Sequence, residues 1–284
     1  LQFMSNLMLD QGIPDDAGVS LEYHIRRSGR RIDFVLTGVN SQREETAVIV
    51  ELKQWQQAES LKKDGIIRTP LGRGWSETNH PSYQAWTYAA LIEDYNETVR
   101  AESIRLVPCA YLHNMDDDSA VNDPVYAPYT SRAPVFISRD AECLAAFLKQ
   151  HVRYGDHHDI LYRIENGRIR PSRSLANAVL DMLSGNEAFL MIDDQKVAFE
   201  TALELAHRAQ KGERQVLIVE GGPGTGKSVL AIKLLARLTD YELVAQYVSR
   251  NAAPRDVYEA QLTGSFKKSR ISNLFSGSGA FRGG

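Results

Sequence analysis

Apolar and polar positions in the first half of the chain change in short bursts. Leu21 to Ile25 alternates and passes through Ser28-Gly29 into Arg31-Ile32-Asp33-Phe34-Val35-Leu36, which is the pattern of a β-hairpin. Asn40 to Glu45 is polar and predicts a loop. Ala47-Val48-Ile49-Val50 is apolar and rich in β-branched residues, and it runs on without a turn residue into Glu51-Leu52-Lys53. That predicts a buried strand from Ala47 to Lys53. Gln56 to His80 is mixed and glycine-containing, and predicts a long loop with a short helix. Asn79 or His80 can cap a helix that has Pro81 in its first turn. Ile104 to His113 and Pro134 to Ser138 predict strands. Arg139 to Val152 predicts an amphipathic helix with Leu144, Phe147, Leu148 and Val152 on one face. Leu1 to Leu9 reads as the end of a helix.

The pattern then changes. Ile160 to Ser172 holds Asn166-Gly167 between two short alternating segments, which predicts a small hairpin. Ser174 to Leu183 predicts a short helix. From Ala188 onward the order is a helix near Gln195 to Gln210, a strand Gln215 to Glu220, a glycine-rich loop, a helix Ser228 to Leu238 and a strand Glu242 to Ser249. Helices alternating with strands predict a parallel sheet. The expected organisation is an α/β domain over 1–152, a connector over 153–187 and the first part of a second α/β domain over 188–284.

Composition narrows the class. The chain has 284 residues, 43% hydrophobic and 24% charged, enough apolar content for two packed cores and too much for disorder. Its apolar runs are far shorter than the roughly 18 residues of a membrane span, and a cytoplasmic location is expected. It opens on Leu1 rather than Met, so a natural N-terminus upstream is expected. Cys109 and Cys143 are too few for a disulfide framework or a four-cysteine metal site. A net charge of −3 is not the signature of a protein coated for nucleic acid. Two basic runs, Arg26 to Arg31 and Lys267 to Arg270, are solvated turns or local phosphate contacts.

Charge inside the predicted hairpin calls for chemistry. Asp33 lies among apolar residues, and Glu51 and Lys53 stand two apart at the end of a core strand, on one face. Buried charges are costly unless paired or bound to metal. Two carboxylates on adjacent strands, with the Leu52 carbonyl, can hold Mg²⁺ or Mn²⁺. Such a cation activates water for phosphodiester hydrolysis, and Lys53 can steady charge on the phosphate. A plain Glu51–Lys53 ion pair with Asp33 in solvent is the competing reading. Gln84 and Tyr88 share a helix face, which by itself is compatible with ordinary packing.

The set Asp33, Glu51-Leu52-Lys53 and Gln84-Ala85-Trp86-Thr87-Tyr88 resembles the PD-(D/E)xK nuclease superfamily, and within it the RecB-like branch with its Q-x-x-x-Y motif. The resemblance implies a mixed sheet flanked by helices and cation-dependent cleavage of DNA, with RNA left open. It further implies that Asp33 and Glu51 bind the metal, that Lys53 assists, and that Gln84 and Tyr88 position the site or the strand. Ile32 stands where the motif has Pro. Residues 1–9 lack the acid or His that many members add from a preceding helix, and the four cysteines of iron–sulfur members are absent.

A second constellation begins at Gly221. Gly221-Gly222-Pro223-Gly224-Thr225-Gly226-Lys227-Ser228 follows a predicted strand and opens a predicted helix, as a phosphate-binding loop does. Glycines admit phosphate oxygens to backbone N–H groups, Lys227 reaches the β/γ phosphates of ATP, and Ser228 ligates Mg²⁺. From Ala188 the chain resembles the start of a superfamily 1 helicase core of Schlafen type, a partial RecA-like domain. The resemblance implies that Gln195 reads adenine. No strand ending in an Asp-Glu pair follows residue 250, and the expectation is a helicase domain continued beyond this chain. The rival functions are a nucleotide-gated regulatory protein that binds nucleic acid through a degenerate nuclease site, and a small-molecule P-loop kinase.

Overall fold

The computed structural model describes residues 2–9, 12–26, 28–170, 181, 190–263 and 273–281. The run Lys267 to Arg270, residues Leu1 and Arg27, and the expected helix Ser174 to Leu183 apart from Asp181 lie outside the described residues. The protein is α/β and divides into two compact units, 1–171 with 192–194, and 172–191 with 195–284. Among the described residues no helix is long and apolar enough to cross a membrane.

Among the described residues, the first unit is built on a five-stranded sheet with the order β1 (Gly18–Ile25), β2 (Arg30–Val39), β3 (Glu45–Lys53), β7 (Arg105–Leu112), β8 (Val135–Ile137). The first three strands pair antiparallel, and β3–β7 and β7–β8 pair parallel, so the sheet is mixed. Between β3 and β7 lie a small sheet of β4 (Glu59–Ser60), β5 (Ile66–Leu71) and β6 (Gly74–Asn79), then α2 (Pro81–Tyr95) and α3 (Glu97–Ala101). Helix α1 (Gln2–Met8) precedes the sheet, and α4 (Ala127–Thr130), α5 (Ala141–His151) and α6 (Ile160–Asn166) complete the unit.

Period two divides the strand side chains between two cores. Val35, Ala47 and Ile49 pack with Tyr88, Ala89 and Ile92 of α2 and with Ile160 and Ile164 of α6. Phe34, Leu36, Val48 and Val50 face the other way, onto Leu144 and Leu148 of α5 and Val152. Each fully buried aliphatic side chain here contributes about 1.5–3 kcal/mol. The same alternation carries the α2-facing row of β3 on to Glu51 and Lys53.

The start of α2 is fixed by His80. Its Nδ1 accepts the Ser82 N–H (3.2 Å), its Nε2 lies 2.9 Å from the Val121 carbonyl, and its ring stacks on Tyr126. Burial pushes the imidazole down to about 4, against the raising effect of the Val121 carbonyl. The folded value lies below the ordinary 6.5, so the unfolded chain holds the extra proton between about pH 4 and 6.5. His80 stabilises fully above pH 6.5, and that stability is lost as pH falls through the window, by ~1.4 kcal/mol per pH unit. The difference in unfolding free energy between wild type and His80→Asn, which keeps a capping side chain, should therefore shrink between pH 6.5 and 4. Denaturant titrations across that range test this. A pH-independent difference would mean that His80 titrates normally in the folded protein.

Two expectations for this unit are corrected. Residues 56–80 are not a loop with a helix: the alternation of Ile66–Leu71 and Gly74–Asn79 pairs antiparallel about a turn at Gly72, whose φ is +61°. Asn166-Gly167 is not a hairpin turn. Ile160 and Ile164 are one helical turn apart and both buried, and Asp156 accepts the N–H groups of Ile160 (2.6 Å) and Leu161 (3.0 Å) at the helix start. Gly167 ends α6 where a Cβ would lie 2.3 Å from Asn96 Oδ1, and Asn96 Nδ2 donates to the Ile164 carbonyl (2.8 Å). Helix α6 thus carries residues from the expected connector into the first core.

The second unit contains α7 (Asp194–Ala209) from Gln195 onward, α8 (Lys227–Asp240), α9 (Ala252–Leu262), and a parallel pair of β9 (Tyr247–Ser249) with β10 (Phe275–Gly277). Its core joins Met191, Phe199, Leu203 and Leu230. The expected strand Gln215 to Glu220 forms no ladder among the described residues, and Val216 and Ile218 are 85% and 77% exposed. A strand of a parallel sheet is buried only when neighbours cover both faces. Of the expected strand Glu242 to Ser249, only Tyr247–Ser249 is paired.

Candidate functional site

Asp33 and Glu51 come together where β2 and β3 part. The pairing runs to Phe34 opposite Val50. One step beyond, the Leu52 N–H donates to Asp33 Oδ2 (2.8 Å), so a side-chain carboxylate ends the ladder. Leu52 is also held in register with Tyr111 of β7, and Glu51 with Ala110. Lys53 Nζ donates to Glu51 Oε1 (2.8 Å) and lies 5.6 Å from the centre of the Trp55 ring.

Glu51 is only 3% exposed, and its second oxygen, Oε2, has no hydrogen-bond partner. Burial pushes its carboxyl up to about 7. Lys53 opposes that shift, and the charges of Asp33 and Asp193 add to it. A buried carboxylate oxygen left unsatisfied is expensive, and a bound cation removes the cost. The donors suit a hard cation: the free oxygen of Glu51, the remaining oxygen of Asp33 and the Leu52 carbonyl. Among the described residues no group of three or more His, Cys, Asp and Glu side chains gathers around one metal position.

Gln84 and Tyr88 stand one turn apart on α2, and Gln84 Nε2 donates to the Tyr88 oxygen (3.0 Å). Burial raises the phenol of Tyr88, and the charges of Asp193 and Glu51 raise it further. The Tyr88 hydroxyl lies 3.1 and 3.2 Å from the two oxygens of Asp193, and Arg30 Nη1 lies 2.7 Å from Asp193 Oδ2. Sequence reasoning missed Asp193 and the role of Arg30. The only signal was the doublet Asp193-Asp194 ahead of Gln195, which reads as the acidic first turn of a helix. Two more arginines of the basic run are engaged: Arg26 donates to the Gly167 carbonyl (3.0 Å) and Arg31 pairs with Glu22 (2.8 Å).

In the second unit the loop Gly221 to Gly226 leads into α8. Gly224 and Gly226 have φ of +77° and +85°. A Cβ on Gly226 would lie 2.4 Å from Gln195 Nε2, so position 226 needs glycine for both its conformation and its neighbour. Gln195 Nε2 donates to the Thr225 carbonyl (2.9 Å), which brings that side chain onto the loop. Lys227 Nζ donates to the carbonyls of Gly221 and Gly222, each at 2.6 Å, and Thr225 Oγ1 donates to the Gly222 carbonyl (2.9 Å). Ser228 follows in the exposed first turn of α8. The ammonium, the helix N-terminus and the glycine amides together form an arrangement suited to a polyphosphate.

No curated protein and no solved structure matches the chain significantly. Residues 214–283 match the family model described as Schlafen group 3, DNA/RNA helicase domain. That stretch contains Gly221 to Ser228, and the match supports a Schlafen-type helicase-like domain in this part of the chain.

Proposed function

We propose that the first unit is a divalent-cation-dependent nuclease of the PD-(D/E)xK, RecB-like type. It is joined to an ATP-binding, RecA-like helicase segment, and DNA is its substrate in DNA processing, repair or defence against foreign DNA. The observation that carries this reading is the buried, unpartnered oxygen of Glu51 beside Asp33 and Lys53. The helicase-like match of residues 214–283 supports work on nucleic acid and use of a nucleotide.

In this reading Asp33, Glu51 and the Leu52 carbonyl hold Mg²⁺ or Mn²⁺. The bound cation would supply an acidified water and charge neutralisation at the phosphate. Water would add to phosphorus as the P–O bond to the leaving sugar oxygen breaks, with one proton of the water passing to solvent and the leaving oxygen taking one from solvent. Lys53, released from Glu51, balances charge on the phosphoryl oxygens. Gln84 and Tyr88 position the site or the strand. In the second unit Lys227 and the loop amides bind the ATP phosphates, Ser228 ligates its Mg²⁺, and Gln195 contacts adenine.

The test is to incubate the purified chain with labelled single- and double-stranded DNA, and RNA, with Mg²⁺, Mn²⁺ or EDTA. Cation-dependent DNA cleavage is expected, together with a rise in melting temperature on adding Mn²⁺. A second reading is favoured by the lack of a three-residue metal cluster among the described residues. In it the protein is a nucleotide-gated regulator that binds DNA without cutting it. Binding with no cleavage under either cation would select that reading.

A further inference from the structure

Gln84 and Tyr88 form a hydrogen-bonded chain that ends on one acid. Gln84 donates to Tyr88, Tyr88 reaches both oxygens of Asp193, and Arg30 closes the chain from the other side. Arg30 opens β2 three residues before Asp33, so one strand carries both Asp33 and the arginine that fixes Asp193. The Asp193 side chain is 15% exposed. It arrives 105 residues after Tyr88, on the short stretch 192–194 that belongs to the first unit while the chain on either side belongs to the second. Ile192 packs against the first unit's core beside Tyr88. Asp193 also adopts φ +51°, a conformation that residues with a Cβ seldom take. An acid held in a left-handed conformation by an arginine and a tyrosine, and anchored by its neighbour, has a fixed position.

The charge of Asp193, though paired with Arg30, adds to that of Asp33 at Glu51, which works against the metal-free site and in favour of a bound cation. The unpartnered oxygen of Glu51 gives that cation a place to bind. Both oxygens of Asp193 are within reach of Tyr88 and one is paired with Arg30, so it acts on the site through those partners and not as a ligand.

We propose that Asp193 is a positioning residue of the nuclease site: held by Arg30 and Tyr88, its carboxylate fixes the Gln84–Tyr88 pair beside the acids and strengthens the field that retains the divalent cation. The function of the Q-x-x-x-Y pair in this chain is then to orient an acid delivered from residue 193. This inference rests on the nuclease reading.

The full chain is compared with Asp193→Asn, Asp193→Glu, Tyr88→Phe and the double variant Asp193→Asn/Tyr88→Phe. Mn²⁺ affinity is measured by electron paramagnetic resonance, and kcat and KM with DNA. Asp193→Asn keeps an acceptor for Tyr88 and removes the charge that pairs with Arg30. It should weaken Mn²⁺ binding about tenfold and lower kcat about 10- to 100-fold, with KM for DNA unchanged. Asp193→Glu should restore part of the Mn²⁺ affinity. The double variant should be no worse than its worse single parent, since the two residues act as one unit. If the Asp193 variants do not fold, Tyr88→Phe alone must still lower kcat without raising KM. Wild-type Mn²⁺ affinity and kcat in Asp193→Asn, or losses that multiply in the double variant, would overturn the inference while leaving the nuclease reading intact. A wild-type chain that neither binds Mn²⁺ nor cuts DNA would overturn both.

Discussion

Glu51→Gln should reduce cation-dependent DNA cleavage by about 10³-fold or more, while the metal-free protein melts at the same temperature or higher. The two effects share one cause. Glu51 is buried and its carboxyl is pushed up to about 7, mainly by burial, with Lys53 opposing and Asp33 and Asp193 adding. Its folded value lies above the ordinary 4.5, so the wild-type protein loses stability as pH rises from 4.5 through 7. Glutamine keeps the shape and does not ionise. The variant should therefore gain on wild type as pH rises through that window, reaching about 1–3 kcal/mol at pH 8, and the gain should vanish below pH 4.5. Glutamine also removes the charge that binds the cation, so Mn²⁺ should raise the melting temperature of the wild type and not of the variant. Lys53→Ala separates the roles: it should keep the Mn²⁺-dependent shift and lose about 10²- to 10³-fold in rate. Full cleavage by Glu51→Gln would end the nuclease assignment. A large fall in its metal-free melting temperature would instead mark Glu51–Lys53 as a structural ion pair.

What could be read from the sequence follows the range of the forces involved. Strands β2 and β3 announce themselves because both faces of each are buried, which gives near-continuous apolar runs rich in β-branched residues. Helix α2 announces itself through His80 and Pro81. These are local signals, and they bring Asp33 and Glu51 to adjacent strand ends and Gln84 and Tyr88 to one helix face. The hairpin of β5 and β6 is harder to see because its strands carry Arg68, Thr69, Ser76 and Glu77 between few apolar residues. At Asn166-Gly167 a strong local turn signal loses to tertiary burial of Ile160 and Ile164 and to capping by Asp156. Gly167 is glycine because of Asn96, a residue far away in sequence. Asp193 is the extreme case. Its partners Arg30 and Tyr88 are distant along the chain, and no spacing rule connects them. The run Gln215 to Glu220 has the composition of a buried strand, and composition alone does not supply the neighbours that would bury it.

Lys227→Ala should weaken nucleotide binding roughly 100-fold and leave DNA cleavage unchanged. The ammonium of Lys227 is the one positive side chain of the motif aimed into the loop, with the carbonyls of Gly221 and Gly222 as its partners at 2.6 Å. Phosphate oxygens would replace those carbonyls, exchanging neutral acceptors for charged ones. Loss of the ammonium should cost about 3 kcal/mol or more, roughly 100-fold in Kd, even though the loop amides and the N-terminus of α8 remain. Cleavage should be indifferent because Lys227 belongs to the second unit and the acids Asp33 and Glu51 to the first. Hydrolysis makes a separate demand. It needs a carboxylate that holds Mg²⁺ and the attacking water, normally at the end of a strand beside the loop. After residue 250 the remaining acids are Asp256 and Glu259, and both lie on α9. The 284-residue chain should therefore bind ATP and ADP and release phosphate scarcely faster than the Lys227→Ala variant. Titration with a fluorescent nucleotide measures the first effect and a phosphate-release assay the second. Undiminished nucleotide affinity in Lys227→Ala would remove the loop from the binding site. Rapid ATP turnover by the wild-type chain would require a catalytic carboxylate elsewhere in it.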